Sequence, residues 1–305
     1  MFKALFSNKP QLNKREQYYA EIMKVLFFVL ISGIIFSFLN TGYLALLEML
    51  NIKISTASDA AIINNSLSSS IILILSYVVT YYLCFYRTAS NVSEYKPLEY
   101  SGKKKKSGIL CLIGFGFAMI GNLVSGFVCS GLQYLTSFFD NSFSKFIQDS
   151  INGGALKYDV QSLDLYSLII LFITMVILPP IVEELIFRHL FYERLVRFST
   201  ATAVYLVTIL FAFSHGNIQQ IVFALFAGFG FMIIRRYTGN VKFSVLVHTL
   251  VNLSAYCYQI VLNNQYSEII FGFTIFMAIV GLILFLADKD YKEIWHLEKF
   301  KEKGE

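Results

Sequence analysis

The chain has 305 residues, of which 56% are hydrophobic and 15% charged, and its mean hydropathy is +0.61. These values exclude an ordinary water-soluble domain, in which charged residues make up roughly 25% of the chain. The net charge of +5 is expected to reflect membrane topology and contact with anionic lipid, and we therefore predict no nucleic-acid partner.

Apolar stretches long enough to cross a bilayer recur along the whole chain. A transmembrane helix needs about 20 apolar residues for a hydrocarbon core of roughly 30 Å, and about eight stretches come near that length. Their approximate bounds are 25–47, 67–86, 109–139, 165–182, 201–214, 218–234, 243–262 and 269–287. The sequence therefore predicts an all-α, polytopic membrane helix bundle in the cell membrane. The fifth stretch is short, and Pro179 and Pro180 are expected to kink the fourth without ending it.

Basic residues predict the orientation, because Lys and Arg accumulate in short loops on the cytoplasmic side. They cluster before the first stretch, in alternate loops and in the tail: Lys3, Lys9, Lys14, Arg15, Lys24, Arg87, Lys96, 103–106, Arg194, Arg197, Arg235, Arg236, Lys242 and five lysines after residue 288. About eight spans with both termini in the cytoplasm place all these clusters on one side.

We expect one membrane domain with three parts. Residues 1–160 hold three peripheral spans, residues 161–287 hold five spans that form the core, and residues 288–305 form a charged cytoplasmic tail. The middle part holds nearly all the ionisable groups at membrane depth. Such groups are costly unless they are paired or face a wet cavity, and they therefore mark a candidate functional site.

The run IVEELIFRHL at 181–190 contains two adjacent carboxylates and an arginine, Glu183, Glu184 and Arg188. On a helix Glu184 and Arg188 lie one turn apart and can pair, whereas Glu183 points about 100° away. One carboxylate would then be free to act as a general base. The alternative is an ion-paired helix end at the cytoplasmic interface.

Two later spans carry histidines. His215 ends the apolar run FAFSHG, and His248 and Asn252 lie four residues apart, on one helical face, in FSVLVHTLVN. Taken alone, His215 could be a hydrogen-bonded packing residue, and His248 with Asn252 could join helices as polar residues do in membrane bundles.

The patterns Glu-Glu-x3-Arg, Phe-x3-His and His-x3-Asn follow one another on three predicted helices. In this combination the chain resembles the CAAX protease and bacteriocin-processing family, also called the Abi family, which is related to the type II CAAX prenyl endopeptidases. The resemblance covers roughly residues 165–255 and rests on Glu183, Glu184, Arg188, Phe211, His215, His248 and Asn252. His189 is a departure, since bacterial members commonly have glycine after the arginine.

The resemblance implies an intramembrane endopeptidase whose active site lies between these helices. By analogy, Glu183 with His215 activates a water, and His248 and Asn252 donate hydrogen bonds to the oxyanion. Glu184 and Arg188 then position the site. We expect no cofactor, although Glu183, His215 and His248 could form a zinc site with an open position; the HExxH spacing of many zinc proteases is absent.

The expected substrate is a hydrophobic or membrane-associated peptide or protein in the lipid bilayer. In a bacterium the resemblance suggests bacteriocin maturation or self-immunity, peptide signalling or CAAX-type processing. The alternatives are a non-catalytic membrane scaffold that binds a partner such as a sensor kinase, and a transporter. The enzyme hypothesis requires the motif residues to converge, which in turn requires helix tilt or a kink at Pro179 and Pro180.

Overall fold

The structure is a computed structural model that describes residues 14–50, 59–85, 107–139, 142–152, 163–261 and 266–287. Within these ranges all regular secondary structure is helical, which confirms the predicted all-α class. The helices are α1 (Lys14–Met49), α2 (Asp59–Cys84), α3 (Ser107–Thr136), α4 (Ser142–Asn152), α5 (Leu165–Leu195), α6 (Thr200–Phe213), α7 (Ile218–Thr238), α8 (Val241–Val261) and α9 (Ser267–Ala287).

Six of the described helices, α1, α2, α3, α5, α7 and α9, are long and apolar enough to cross a membrane. The chain is therefore a multi-pass membrane protein. Helix α6 is apolar but has only 14 residues, and α8 has 21 residues that include Lys242, His248 and Asn252. The count of about eight spans stays a prediction. The predicted tail at 288–305 and the basic run at 103–106 lie outside the described residues.

Helix α5 runs unbroken past Val182 to Leu195, as predicted. Two of its segments are π-helical, and an α-helical stretch lies between them: Ile173–Ile177, then Leu178–Glu184, then Leu185–Phe191. Pro179 and Pro180 account for the first π segment, because proline lacks an N–H and its ring crowds the preceding turn, so that the helix widens there. The Glu183–Glu184 pair thus lies between two wide turns.

Helix α3 packs closely against α7 and α9, and glycines allow the close approach. A Cβ added at Gly116 would lie 2.5 Å from Gly281 Cα, and one at Gly230 would lie 2.9 Å from the Gly114 carbonyl oxygen. Small residues have this role in membrane bundles because van der Waals contact between backbones stabilises them. Although α3 precedes residue 160, it packs into the same hydrophobic core as α5 to α8.

Helix α1 packs against α2 and the end of α5. Glu21 on α1 accepts a hydrogen bond from Arg194 Nη1 at 2.9 Å, and Lys24 Nζ lies 2.9 Å from the other oxygen of the same carboxylate. The Arg194 guanidinium also covers the Phe85 ring, 4.2 Å from its centroid. This buried cluster fixes the N-terminal helices to the helix that carries Glu183 and Glu184.

Candidate active site

Glu184 on α5 faces His248 on α8. The Nδ1 atom of His248 is 3.0 Å from Glu184 Oε1, and Arg188 Nη1 is 3.1 Å from the same oxygen. The side chains of Glu184 and Arg188 have no exposed surface. A carboxylate so buried needs a compensating charge, and Arg188, one helical turn later, supplies it.

Glu183 has a different environment from its neighbour. Its side chain keeps 16% of its surface exposed, and its Oε2 atom lies 3.9 Å from His248 Nε2. That oxygen has no hydrogen-bond partner in the described residues. A gap of this length between two polar atoms is one that a water can bridge. The Glu183 side chain is therefore partly exposed, although this oxygen is itself buried, whereas the Glu184 side chain has no exposed surface.

Arg188 is held at several points besides Glu184. Its Nη2 donates to the Gly228 carbonyl on α7 at 3.2 Å. Its guanidinium lies over the Phe211 ring, 4.0 Å from the centroid, and 5.3 Å from that of Phe231. Stacking on aromatic faces suits the planar, weakly hydrated guanidinium and lowers the cost of burying it.

Aromatic rings also fix the His248 imidazole. Phe231 stacks on it, with ring centroids 4.8 Å apart and an interplanar angle of 28°. Phe211 meets it edge-on at 5.9 Å. With Nδ1 bonded to Glu184 and the ring held between two phenylalanines, Nε2 is the nitrogen that remains directed toward Glu183.

His215 follows the end of α6 and contacts the same phenylalanine. Its Nδ1 lies 2.8 Å from the Phe211 carbonyl oxygen, and its ring meets the Phe211 ring edge-on at 5.0 Å. The chain then turns through Gly216 at φ +74°, a conformation that glycine adopts without strain. In the described part of the chain no hydrogen bond or ion pair joins His215 to Glu183, so His215 is linked to the carboxylates through Phe211.

Asn252 lies one turn after His248 on α8 and reaches the first π segment of α5. Its Nδ2 donates to the Met175 carbonyl oxygen at 2.9 Å. In an α-helix or a π-helix that carbonyl would bond to the N–H of the residue four or five positions later, and those residues are Pro179 and Pro180. Asn252 therefore satisfies a carbonyl that the prolines cannot.

The zinc site considered from the sequence would need Glu183, His215 and His248 to converge on one point. Across the described ranges no three His, Cys, Asp or Glu side chains are grouped so that they could hold one metal ion. The His248 Nδ1 atom is bonded to Glu184, and the His215 Nδ1 atom to a backbone carbonyl, so that Nε2 is the ring nitrogen these bonds leave for a substrate, a water or a metal.

Several residues that the sequence analysis did not select contribute to the site: Met175, Gly228, Phe231 and Ser244. Ser244, one turn before His248, is fully buried beside the Glu184 carboxylate. Helical spacing from His248 could have identified Ser244. Nothing in the sequence distinguishes Phe231 from the other phenylalanines of α7, or Gly228 from its other glycines, because both act through contacts with another helix.

Three comparisons with known proteins gave one match. Residues 165–254 match the family described as type II CAAX prenyl endopeptidase Rce1-like. No match was found among curated proteins or among solved structures. The matched segment begins with α5 and ends just after Asn252, and it contains each of the seven motif positions. Through this segment, 90 of its 305 residues, the chain is similar to the Rce1-like, CAAX protease family.

Proposed function

We propose that the protein is an intramembrane endopeptidase that hydrolyses a peptide bond with a water activated by Glu183. The observation that carries the proposal is the pair of unlike carboxylates beside His248. Glu184 is fully buried, paired with Arg188 and bonded to the imidazole, whereas the Glu183 side chain keeps 16% of its surface exposed. A base must reach the water whose proton it takes, and the partly exposed side chain of Glu183 suits that role better.

In the proposed reaction Glu183 takes a proton from the water as its oxygen attacks the scissile carbonyl carbon. The carbonyl oxygen becomes an oxyanion, which accepts a hydrogen bond from the Nε2–H of His248, while Nδ1 of the same ring stays bonded to Glu184. The second N–H of the Asn252 amide is a further donor, since only one is used by Met175. The C–N bond then breaks, and the leaving amine takes the proton from Glu183.

Supporting residues complete the site. Arg188 balances the Glu184 charge, and Glu184 holds the imidazole with Nε2 toward Glu183. His215 is proposed to assist the water on the other side, as the resemblance implies. Preorganised donors of this kind stabilise charge that develops in the transition state, because they need not reorient when the reaction occurs.

The proposed substrate is the apolar segment of a membrane-associated peptide or protein. A cavity of about 560 Å³ lies between α1, α2 and α5 and is lined mainly by apolar side chains. Val182, next to Glu183, and Ile186, three residues after it, lie on its wall. In a bacterium, bacteriocin maturation or self-immunity, peptide signalling and CAAX-type processing are the processes that such an activity would serve.

The proposed topology has about eight spans and cytoplasmic termini. Helices α6 and α8 support it, because both pack against α7 within the bundle. The polar His248 of α8 is paired there with Glu184, which lowers the cost of burying it in a membrane. Reporter fusions placed after each helix would test it: a signal from the non-cytoplasmic side at either terminus contradicts the topology.

The activity is tested with the purified protein in detergent and a library of hydrophobic peptides. Wild type is compared with Glu183→Ala and His248→Ala, and with Glu268→Ala, an exposed glutamate at the start of α9, as the matched control. Each protein is assayed with and without a zinc chelator. We expect cleavage by wild type and the control alone, insensitive to the chelator.

Other outcomes would redirect the proposal. Loss of cleavage on chelation would support the metal-dependent alternative. Equal cleavage by all four proteins would mean that a contaminant cleaves the peptides. No cleavage of a library that a related enzyme accepts would favour the non-catalytic scaffold.

A further inference from the structure

The second π segment of α5 displaces the hydrogen bond of one backbone carbonyl. In a regular α-helix the Tyr192 N–H would bond to the carbonyl of Arg188, four residues earlier. In this structure it is directed instead at the carbonyls of Phe187 and His189, on either side. A buried carbonyl that loses its usual donor needs another, above all in a membrane, where lipid offers none.

Arg235 on α7 provides that donor. Its Nε lies 3.1 Å from the Arg188 carbonyl oxygen, and Arg235 is 9% exposed. Its Nη2 is 2.6 Å from Glu193 Oε1, to which His189 Nδ1 is also bonded at 2.8 Å. Glu193 thereby orients the guanidinium so that Nε faces the carbonyl. His189, which replaces the usual glycine, belongs to this contact and is itself largely exposed.

Helix α7 thus forms hydrogen bonds with both the side chain and the backbone of Arg188. The Gly228 carbonyl accepts a hydrogen bond from the side chain, and Arg235, about two turns later on the same face of α7, donates to the backbone. In the first π segment of α5 a side chain likewise replaces a missing backbone donor, since Asn252 donates to the Met175 carbonyl. One side-chain donor therefore lies on each side of the Glu183–Glu184 stretch.

We propose that Arg235 is a positioning residue for the active site, a role that goes beyond marking the cytoplasmic side of α7. It stabilises the π turn that places the Arg188 guanidinium on Glu184, and through Glu184 it orients His248. The effect on catalysis rests on the proposed function, whereas the effect on the π turn does not.

The first test is amide hydrogen exchange of the peptide covering residues 185–196 in the full-length protein in detergent. We expect roughly tenfold faster exchange in Arg235→Gln than in wild type, because a buried carbonyl has lost its donor. Lys242→Gln removes the same charge at an exposed position near the start of α8 and is the control. Glu193→Gln keeps an acceptor for Nη2, and we expect it to exchange as wild type does.

The second test is cleavage kinetics on a peptide that wild type hydrolyses. Arg235→Gln is expected to lower kcat roughly tenfold with KM unchanged, since it misplaces groups that act in the transition state. Lys242→Gln should retain both constants. Loss of overall folding alone would instead lower the active fraction, which active-site titration and the melting temperature detect.

The outcomes separate the two proposals. Wild-type exchange in Arg235→Gln overturns the inference, as does equal acceleration in Glu193→Gln, which would mean that the ion pair holds the turn. If no protein cleaves any peptide, the proposed function fails and the exchange experiment still decides the role of Arg235. Should Arg235→Gln not fold, Arg235→Lys, which keeps the charge but lacks the Nε donor, is measured in its place.

Discussion

Glu183 and Glu184 are neighbours in sequence, but their environments differ and so do the roles proposed for them. Helical geometry points them about 100° apart, so that one meets Arg188 and His248 and the other faces the accessible side of the site. Removing the charge of each should therefore have different consequences for stability and for activity.

We predict that Glu183→Gln lowers kcat by about 10³-fold, the usual contribution of a general base, and leaves the melting temperature in detergent unchanged or higher. Glu184→Gln should lower the free energy of unfolding by roughly 3 kcal/mol, because Arg188 then remains buried without its counter-charge. Thermal unfolding and initial rates measure both. Equal destabilisation by the two variants would contradict the division of roles.

Gly228 is a second residue where the site tolerates little change. A Cβ there would lie 2.8 Å from a ring carbon of Phe211 and 3.3 Å from Arg188 Nη2. We predict that Gly228→Ala displaces both and lowers kcat at least tenfold, since small misplacements of catalytic groups are costly. Gly126→Ala, where nothing lies within 4 Å, is the control, and wild-type rates in Gly228→Ala would refute the prediction.

At the scale of helices, the packing of α3 on α9 depends on a contact between backbones. Gly116 and Gly281 meet so closely that a Cβ at either would lie within 2.6 Å of the other's Cα. We predict that Gly116→Ala destabilises the fold by roughly 1–3 kcal/mol, the usual cost of overpacking. Gly126→Ala, on the same helix, should stay within about 0.5 kcal/mol of wild type; comparable melting temperatures for both variants would contradict this packing.

At the scale of the whole molecule, the buried Glu21–Arg194 pair joins α1 to the end of α5. We predict that Glu21→Gln lowers the free energy of unfolding by roughly 2 kcal/mol or more, because Arg194, 3% exposed, loses its partner. Glu48→Gln, at an exposed position of α1, should have no effect. Thermal unfolding distinguishes them, and no difference would mean that the N-terminal helices are attached by apolar packing alone.

The sequence by itself determined that the chain lies in a membrane, that it is helical and which motif residues belong to the candidate site. Continuous apolar runs admit only helices in lipid, and spacing on one helix decides which neighbours can pair, as with Glu184 and Arg188. The family segment was likewise recognisable, since its motifs are local patterns that need no contact between helices to be identified.

Only the tertiary structure decided which nitrogen of His248 faces which carboxylate, and that the Glu183 side chain is partly exposed whereas that of Glu184 is fully buried. It also decided that α7 supplies Phe231, Gly228 and Arg235 to the surroundings of Arg188. These features depend on the relative rotation and depth of packed helices, which side-chain periodicity does not specify. The two π turns of α5 add to this, because each changes the face that later residues present, and the donors that stabilise them come from other helices.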